Sequence, residues 1–264
     1  MKLKKGASAE KKPSGGRHGL VGANLNFAAQ EAYKLLRTNL DFALNDVENC
    51  RIIGVSSAMR GEGKSLTSVN LTFSLAEAGN RVLLLEADLR LPSLGRKMRL
   101  SEKKGLSNAL AGQVSDSLPI QEYVVESNER NHISFDVLTA GSTPPNPSEL
   151  LGSQRMKQLM ERLARTYDYI VVDLPPIAPV PDALVMSKLL DGIIVIVRHD
   201  YSERGTLAEA MRKLEFSGVH VLGFVFNCAA EHGSGYSRRY RSYRSRYYNS
   251  YYRRSSPEKS DSNG

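Results

Sequence analysis

The sequence has only two cysteines, no apolar segment long enough to cross a membrane, and no apolar stretch behind its basic N-terminus. Cys50 and Cys228 form no paired motif and each lies beside an apolar run, which favours buried thiols in a reducing compartment over a disulfide framework. The longest apolar runs, such as VLLL and IIVIV, have the length of strands. A secretory signal needs an apolar core, which residues 1–19 lack. We therefore expect a soluble, cytoplasmic protein.

The net charge of +8 is concentrated at the two ends of the chain. Residues 1–18 contribute +5 and residues 233–264 contribute +6, which leaves residues 19–232 at −3. The central part of the chain therefore has no overall positive charge that would indicate nucleic-acid binding. With 264 residues and 41% hydrophobic content, the chain is long enough to form one sizeable core.

The composition divides the chain into three parts. Residues 1–22 are rich in Lys, Gly and Ser and predict a disordered basic arm. Residues 23–232 carry the patterns of a folded domain. Residues 233–264 have too little apolar content to fold alone and predict a flexible tail.

Helix and strand patterns alternate within the folded part. The first helix, residues 26–44, is predicted to be amphipathic, and its apolar stripe consists of Phe27, Ala32, Leu35, Leu36 and Leu40. Strands are predicted at 51–58, 81–88, 133–141, 169–176, 192–198 and 221–227, with helices at 65–78, 153–166, 182–190 and 202–218. Continuous apolar strands separated by helices predict an α/β fold, with a mostly parallel, doubly wound sheet covered by helices on both faces.

A phosphate-binding loop is predicted at the junction of the first strand and the following helix. Residues 58–65, AMRGEGKS, fit the pattern G-x-x-x-x-G-K-[ST] with Ala58 in place of the first Gly. The two glycines let backbone N–H groups turn towards a phosphate at the helix N-terminus. The alternative is a chance GKS in a glycine turn, but the strand before it and the helix after it favour phosphate binding. The expected nucleotide-binding residues are Met59, Arg60, Gly61, Glu62, Gly63, Lys64, Ser65 and Leu66.

Acidic residues end two further strands. EADLR (86–90) follows VLLL, and DLPP (173–176) follows YIVV. In an open α/β sheet an acid at the carboxyl end of a strand faces the ligand crevice. Glu86 and Asp88 alternate along one strand end, so they are expected to point the same way and to share a metal or a proton. The alternative for each acid, including Asp173, is a helix cap or a turn residue.

These motifs together resemble the bacterial tyrosine kinases (BY-kinases) of capsule and exopolysaccharide synthesis, a P-loop ATPase lineage. Residues 58–65 resemble the family's Walker A motif, EADLR resembles its D-x-D-x-R Walker A′ motif, and VVDLPP resembles its Walker B motif. The stretch STPPNPSELLGSQRM (142–156) is also typical of the family. In the first helix Glu31, Lys34 and Arg37 resemble its E-x-x-R-x-x-R subunit-contact motif. The resemblance covers the chain from about residue 26 to its end.

Three positions depart from the family pattern. Glu86 stands where Asp is usual, which leaves the division of roles between Glu86 and Asp88 open. Lys34 replaces an Arg and cannot form a bidentate pair. Arg60 stands where Pro is frequent.

The resemblance implies a phosphoryl transfer from ATP to tyrosine. A tyrosine hydroxyl has a reference pKa of about 10, so it needs help to attack at neutral pH. Lys64 would stabilise charge on the transferring group, while Ser65, Asp88 and Asp173 would hold Mg²⁺.

Three further residues complete the implied site. Glu86 or Asp88 would accept the tyrosine proton, and Arg90 would orient those acids or a phosphate. Asn227 ends the last predicted strand, where related ATPases contact the adenine; a plain strand-end turn explains it equally well.

The C-terminal tail contains seven of the twelve tyrosines, interleaved with seven arginines in residues 235–254. In the family such a cluster is the autophosphorylation substrate, and a basic tail suits an acidic site on a neighbouring subunit. The acceptors would be Tyr236, Tyr240, Tyr243, Tyr247, Tyr248, Tyr251 and Tyr252. Seven phosphates would add on the order of −10 to −14 charges, so we expect phosphorylated tails to leave the neighbouring site and the oligomer to loosen.

The resemblance also implies partners. Glu31 of one subunit pairing with Lys34 or Arg37 of the next would make a head-to-tail ring, whereas pairs within one exposed helix are the alternative. Because the family acts beside a membrane, a separate transmembrane polysaccharide co-polymerase or adaptor would recruit the kinase to the inner membrane face.

Other functions compete with this interpretation. A ParA/MinD-like positioning ATPase would have a signature Lys where this chain has Met59, and it would leave the tail unexplained. The Tyr/Arg tail could instead bind nucleic acid by pairing with phosphates and stacking on bases. The basic ends could also attract anionic lipids, which is compatible with kinase activity.

Overall fold

In a computed structural model the described residues are 22, 25–114, 117–127 and 131–228. The predicted tail, residues 233–264, and nearly all of the predicted arm, residues 1–22, lie outside them. The strands are β1 (Arg51–Ser57), β2 (Val82–Glu86), β3 (Gln121–Ser127), β4 (Asn131–Leu138), β5 (Tyr169–Asp173), β6 (Gly192–Arg198) and β7 (Val221–Asn227). The α-helices are α1 (Phe27–Ala43), α2 (Lys64–Glu77), α3 (Leu94–Met98), α4 (Leu106–Leu110), α5 (Pro147–Leu151), α6 (Gln154–Ala164), α7 (Asp182–Met186) and α8 (Arg204–Ser217), with a 3₁₀ turn at Ser187–Leu189.

The strands described form one sheet in the order β3-β4-β2-β5-β1-β6-β7. Neighbouring strands run parallel except β3, which pairs antiparallel with β4 at one edge. All residues of β2 and β5 are buried, as expected for strands covered on both faces. The predicted mostly parallel α/β fold is confirmed, and the antiparallel edge strand is an addition to it.

The two faces of the sheet carry separate apolar cores. Alternate side chains of a strand point to opposite faces, so Leu84 packs with α1, α2 and α3 while Leu83 and Leu85 pack with α4 to α8. Burying such a leucine stabilises the fold by about 1.5–3 kcal/mol, which explains why the central strands are apolar without interruption. The two layers of helices leave the carboxyl ends of β1, β2 and β5 at one edge of the sheet.

The apolar stripe predicted for α1 only partly faces the core. Leu40 is buried and Leu36 packs against the core, but Phe27 and Leu35 are each 53% exposed and Ala32 is exposed as well. The helix lies where the periodicity predicted it, but only part of its apolar stripe is buried. The helix rests on α2 along a narrower face, and Phe42, 75% exposed, extends the outward apolar face.

Polar contacts fix α1 on the domain. The Asn26 side chain caps the helix by accepting a hydrogen bond from Ala29 N at 2.9 Å. At the other end Tyr169 on β5 donates to Asp41 at 2.5 Å, and Arg51 donates to the Tyr169 hydroxyl at 2.5 Å. Burial and the hydrogen bond to Asp41 raise the pKa of Tyr169 to about 12, so this tyrosine remains a proton donor at neutral pH.

Among the residues described, no helix combines the length and the apolar character that a membrane span requires.

The two cysteines have different surroundings. Cys50, just before β1, is buried, whereas Cys228, just after β7, is exposed. The expectation that both thiols are buried was therefore wrong for Cys228, because the strand before it lies at the sheet edge. Burial, followed by the nearby charge of Asp191, raises the pKa of the Cys50 thiol to about 12.

We expect one fast-reacting thiol per folded chain. At pH 8 only about one Cys50 thiol in 10⁴ is ionised if its pKa is near 12, and the thiolate is the reactive form. Titration with a thiol-reactive chromogenic disulfide should give one rapid equivalent in buffer and two in denaturant. Loss of the rapid equivalent in Cys228→Ser is the control, and two rapid equivalents from the native wild type would contradict the placement of Cys50.

Candidate active site

The phosphate-binding loop lies where predicted, between β1 and α2. Gly61 and Gly63 adopt positive φ angles of 82° and 102°, which L side chains rarely allow. A Cβ atom on Gly63 would lie 2.0 Å from the side-chain nitrogen of Asn227. The glycines thus permit both the turn and the close approach of β7, and α2 starts directly behind them at Lys64.

Lys64 is paired with acids from two other strands. Its Nζ lies 2.8 Å from Asp88 Oδ2 and 4.0 Å from Asp173 Oδ1, and all three side chains are largely buried. Burial disfavours the ammonium charge, but Asp173 and Asp88 outweigh it and raise the pKa of Lys64. The structure therefore brings together three of the predicted site residues, with one positive charge facing two carboxylates.

Asp173, at the end of β5, has one oxygen with no hydrogen-bond partner. Its Oδ1 accepts from Ser68 Oγ at 3.3 Å, and the Ser65 side chain lies near enough to lower the pKa of the carboxylate. Its Oδ2 is the only buried side-chain oxygen or nitrogen without a hydrogen bond in the described part of the chain. Burial raises the pKa of Asp173, with Lys64 acting against that rise.

Glu86 and Asp88 have separate partners. Glu86 Oε1 accepts from the backbone N–H groups of Ser93 at 2.6 Å and Leu94 at 2.7 Å, and its Oε2 accepts from Ala140 N at 3.0 Å. Burial is the main cause that raises the pKa of Glu86, and these three bonds oppose it. Glu86 therefore holds the start of α3 and the end of β4 together, while Asp88 Oδ2 faces Lys64.

Arg90 is held by an acid that sequence reasoning missed. Its guanidinium bonds to both oxygens of Asp182 at 2.7 and 3.0 Å and to Ser148 Oγ at 3.0 Å. Asp182 opens α7 and is fully buried, so the ion pair fixes the loop after β2 against α5 and α7. These contacts place Arg90 beside Asp182 rather than against Glu86 or Asp88.

The outer side of the phosphate-binding loop is braced by the turn after β6. Arg198 donates to Gly61 O at 2.8 Å, and the Tyr201 hydroxyl donates to Arg60 O at 3.0 Å. Ser202 donates to the carboxylate of Glu62, which also accepts from Met59 N.

Asn227 braces the same loop from the end of β7, because its side chain donates to Glu62 O at 2.8 Å. Its predicted contact with a base stays a prediction. Glu62 is buried, and its carboxylate supports the loop from within by accepting from Met59 N. The Arg60 carbonyl accepts the hydrogen bond that joins the loop to Tyr201.

The sequence did not predict the residues that form hydrogen bonds to the site residues from neighbouring segments. These are Ser68, Ser148, Asp182, Arg198, Tyr201 and Ser202. Asp182 ends the proline-containing segment PVPD (179–182) and starts α7, and an acid at a predicted helix start was the signal available for it. The others are common residue types in turns and helices, which have no sequence pattern of their own.

The predicted subunit-contact residues lie on α1, away from the phosphate-binding loop. Lys34 and Glu31 form an ion pair at 3.0 Å, and Arg37 donates to the backbone carbonyl of Ser74 on α2. The bond from Lys34 to Glu31 raises the pKa of Lys34. The tail tyrosines, Tyr236 to Tyr252, lie outside the described residues.

We expect Glu86→Gln to act on stability first. The amide has one acceptor oxygen, so its NH₂ group would face a backbone N–H that now donates to a carboxylate. The cost of such a buried unsatisfied group is about 1–3 kcal/mol, measurable by urea unfolding. Glu122→Gln, at an exposed position of β3, is the matched control. Unchanged stability together with a large loss of activity would instead give Glu86 a direct chemical role.

Known proteins resemble this chain in both sequence and fold. A family model described as an AAA domain matches residues 50–217. Tyrosine-protein kinase YwqD of Bacillus subtilis is 36% identical over 197 residues, which cover 75% of this chain and 80% of YwqD. Tyrosine-protein kinase etk of Escherichia coli K12 is 34% identical over 200 residues, covering 76% of this chain but 26% of etk. The chain thus spans most of the first relative and about a quarter of the second.

Solved structures agree with these relatives. The kinase domain of Escherichia coli tyrosine kinase ETK superposes with a TM-score of 0.68 at 34% identity, over 78% of this chain and 79% of that one. The MinD protein of Pyrococcus horikoshii complexed with Mg-ADP superposes with a TM-score of 0.53 at 21% identity, over 69% of this chain and 72% of that one, which shows the shared fold. With its P-loop, its Walker-type acids and these matches, the chain belongs to the bacterial tyrosine-protein kinases, within the AAA-domain P-loop ATPases.

Proposed function

We propose that this chain is an ATP-dependent protein-tyrosine kinase that phosphorylates its own C-terminal tyrosine cluster in trans. The observation that carries the proposal is the placement of Lys64 on the phosphate-binding loop, 2.8 Å from Asp88 and 4.0 Å from Asp173. A buried cation and two carboxylates at a P-loop suit a reaction that relies on positioning and electrostatics. Residues 235–254 supply seven tyrosines interleaved with seven arginines as candidate acceptors.

The side chains at the loop fit a magnesium ion. Asp173 has a buried oxygen without a hydrogen-bond partner, and the hydroxyl of Ser65 lies beside this carboxylate. Mg²⁺ prefers oxygen ligands and takes one or two carboxylates together with phosphates and water. Among the described residues no group of three or more His, Cys, Asp or Glu side chains is placed to hold a metal ion, so phosphates and water would have to complete the ligand set. Ser65, Asp173 and Asp88 would hold the ion, and bound Mg²⁺ would neutralise charge on the ATP phosphates.

Lys64 and Asp88 would exchange partners when ATP binds. Their ion pair, with Lys64 Nζ 2.8 Å from Asp88 Oδ2, occupies both groups in the structure. Because phosphates are strong partners for an ammonium, ATP would draw Lys64 away from Asp88. The Asp88 carboxylate would then accept the proton of the attacking tyrosine, while Lys64 stabilises the transferring phosphoryl group.

Glu86 and Arg90 would support the site rather than touch the reacting atoms. Glu86 accepts three backbone N–H bonds and fixes the strand end that carries Asp88. Arg90, paired with Asp182, shapes the rim where a substrate tyrosine would enter. Met59, Arg60, Gly61, Glu62, Gly63 and Leu66 would contribute backbone contacts to the nucleotide, and Asn227 would approach its base.

The exposed face of α1 supports a head-to-tail ring. Phe27, Leu35 and Phe42 are exposed there on the same side as Glu31, with Lys34 at its border. An apolar face with charges at its edge is typical of a subunit contact. Arg37 already bonds to α2, so its contribution would partly be to hold α1 in place.

The cellular setting follows from the resemblance to capsule and exopolysaccharide kinases. We propose a cytoplasmic kinase that a separate transmembrane polysaccharide co-polymerase or adaptor recruits to the inner membrane face. The net charge of −3 on residues 19–232 gives no support to nucleic-acid binding by the folded part.

Phosphorylation of the tail is tested by intact-mass analysis with Mg·ATP. We expect stepwise additions of up to seven phosphates to the tail of the wild type. Lys64→Met should reduce the rate by about 10²–10³-fold or more, because it removes a charged group that stabilises the transition state. A chain ending at Glu231 keeps the folded part but lacks the seven tail tyrosines. Its mass spectrum should therefore lack the additions that the wild type shows on the tail.

Two results would contradict this proposal. One is ATP turnover without any phosphate on the tail when an activating membrane partner is supplied, which would favour a positioning ATPase. The other is salt-sensitive RNA binding by the tail, independent of ATP, in a protein that never gains phosphate.

The ring is tested by sedimentation velocity. Replacing Glu31 and Arg37 by Ala should leave a monomer, since both partners of the proposed contact are lost. Because Arg37 also bonds to α2, Glu31→Lys alone is a second variant that leaves this bond intact. Glu161→Ala with Arg165→Ala, two exposed charged residues on α6 and at its C-cap, is the matched control. An oligomer that persists in both α1 variants would rule out this interface.

A further inference from the structure

We propose that Tyr201 is a second phosphorylation site and that a phosphate there releases the phosphate-binding loop. The inference rests on the proposed tyrosine kinase activity but concerns a residue outside the tail. Tyr201 lies in the turn between β6 and α8, and the residue is 52% exposed.

Exposure distinguishes Tyr201 from the other tyrosines of the folded part. Tyr167 and Tyr169 are buried and donate to Asp136 and Asp41, and Tyr33 and Tyr123 are partly buried. Among the described residues Tyr201 is the only tyrosine with an exposed side chain. A kinase domain acting on a neighbouring molecule could therefore reach this tyrosine without unfolding either partner.

The Tyr201 hydroxyl has a structural role that a phosphate would end. It donates to the carbonyl of Arg60 at 3.0 Å and lies 3.0 Å from the position a Cβ atom on Gly61 would take. A phosphorylated oxygen has no proton to donate and has three further oxygens attached through phosphorus. Both the bond and the space beside the loop would be lost.

Arg198 would add to this effect. Its guanidinium lies 4.9 Å from the centre of the Tyr201 ring and donates to Gly61 O at 2.8 Å. A phosphate of charge about −1.5 to −2 is a stronger guanidinium partner than a neutral carbonyl. Phosphorylation would thus draw Arg198 from the loop, so that Arg60 and Gly61 both lose their external hydrogen bonds.

The loosened loop would bind nucleotide less well. Its backbone N–H groups must stay aligned to cradle phosphates, and the added negative charge opposes ATP. A site beside the phosphate-binding loop would therefore let the kinase lower its own nucleotide affinity, separately from any effect of tail phosphorylation.

The chemical step is the same as for the tail. The Tyr201 phenolic oxygen would attack the γ-phosphorus of ATP bound to another molecule. The bond from that phosphorus to the β–γ bridging oxygen breaks and ADP leaves. The phenolic proton passes to the Asp88 carboxylate of the catalysing molecule.

Phosphorylation of Tyr201 is tested with a full-length acceptor whose seven tail tyrosines are Phe and whose Lys64 is Met. Active wild type with Mg·ATP should add one phosphate, and peptide mass analysis should place it on Tyr201. The rate should rise with wild-type concentration. The same acceptor with Tyr201→Phe should gain none.

The outcomes separate this inference from the proposed function. If the wild type phosphorylates its own tail but the acceptor gains nothing on Tyr201, the inference is wrong and the proposed function stands. If the wild type gains no phosphate anywhere, with its membrane activator supplied, both are wrong.

The effect on the loop is measured as ADP affinity by calorimetry. The chain with its seven tail tyrosines replaced by Phe but with Lys64 retained should, once phosphorylated on Tyr201, bind ADP about tenfold more weakly than before phosphorylation, since it loses two hydrogen bonds and gains charge. Tyr201→Phe, which loses one bond, should weaken binding only about threefold. Equal ADP affinity with and without the phosphate would overturn the release of the loop.

Discussion

The ion pair between Lys64 and Asp88 is the interaction on which the site depends. It joins the first residue of α2 to the segment after β2, and Asp173 at the end of β5 faces the same ammonium group. This arrangement requires the strand order β2-β5-β1, which places three carboxyl ends side by side. One cation among two buried carboxylates leaves an excess of negative charge, which suits the Mg²⁺ ion and nucleotide that we propose for this site.

The phosphate-binding loop depends on supports from outside its own sequence motif. Bonds from Arg198, Tyr201 and Asn227 hold its carbonyls, while Glu62 supports it from within. A glycine-rich turn gains flexibility from its glycines, and fixed neighbours restrict that flexibility again. The same supports give the loop a point at which a modification could change nucleotide affinity.

The sequence predicted the features with strong periodicity or a motif. The central strands are continuous apolar runs, and β6 and β7 have the predicted bounds. The sequence did not reveal β3, because an edge strand such as QEYVVES has no continuous apolar run. It also did not show which part of the α1 stripe is buried, since an apolar stripe does not show which side a neighbouring helix covers.

For the site, the motifs identified Lys64, Asp88 and Asp173, which the structure brings together. Long-range partners could not be read from the sequence. Arg90 pairs with Asp182, which lies 92 residues further along the chain. The hydrogen bonds from backbone N–H groups to Glu86 depend on how two loops fold back on the strand end. Every residue type except proline has such an N–H group, so the sequence does not indicate which of them reach Glu86.

The fate of the γ-phosphate in a single turnover tests the central claim most directly. Radiolabelled ATP would be mixed with excess enzyme and any membrane activator, and the label followed into phosphotyrosine and inorganic phosphate. We expect the label on tail tyrosines, and we expect Asp88→Asn to slow the transfer by about 10²–10⁴-fold, as for a general base, while ATP still binds. Label released as inorganic phosphate, with an unlabelled tail, would contradict a tyrosine kinase built on this ion pair.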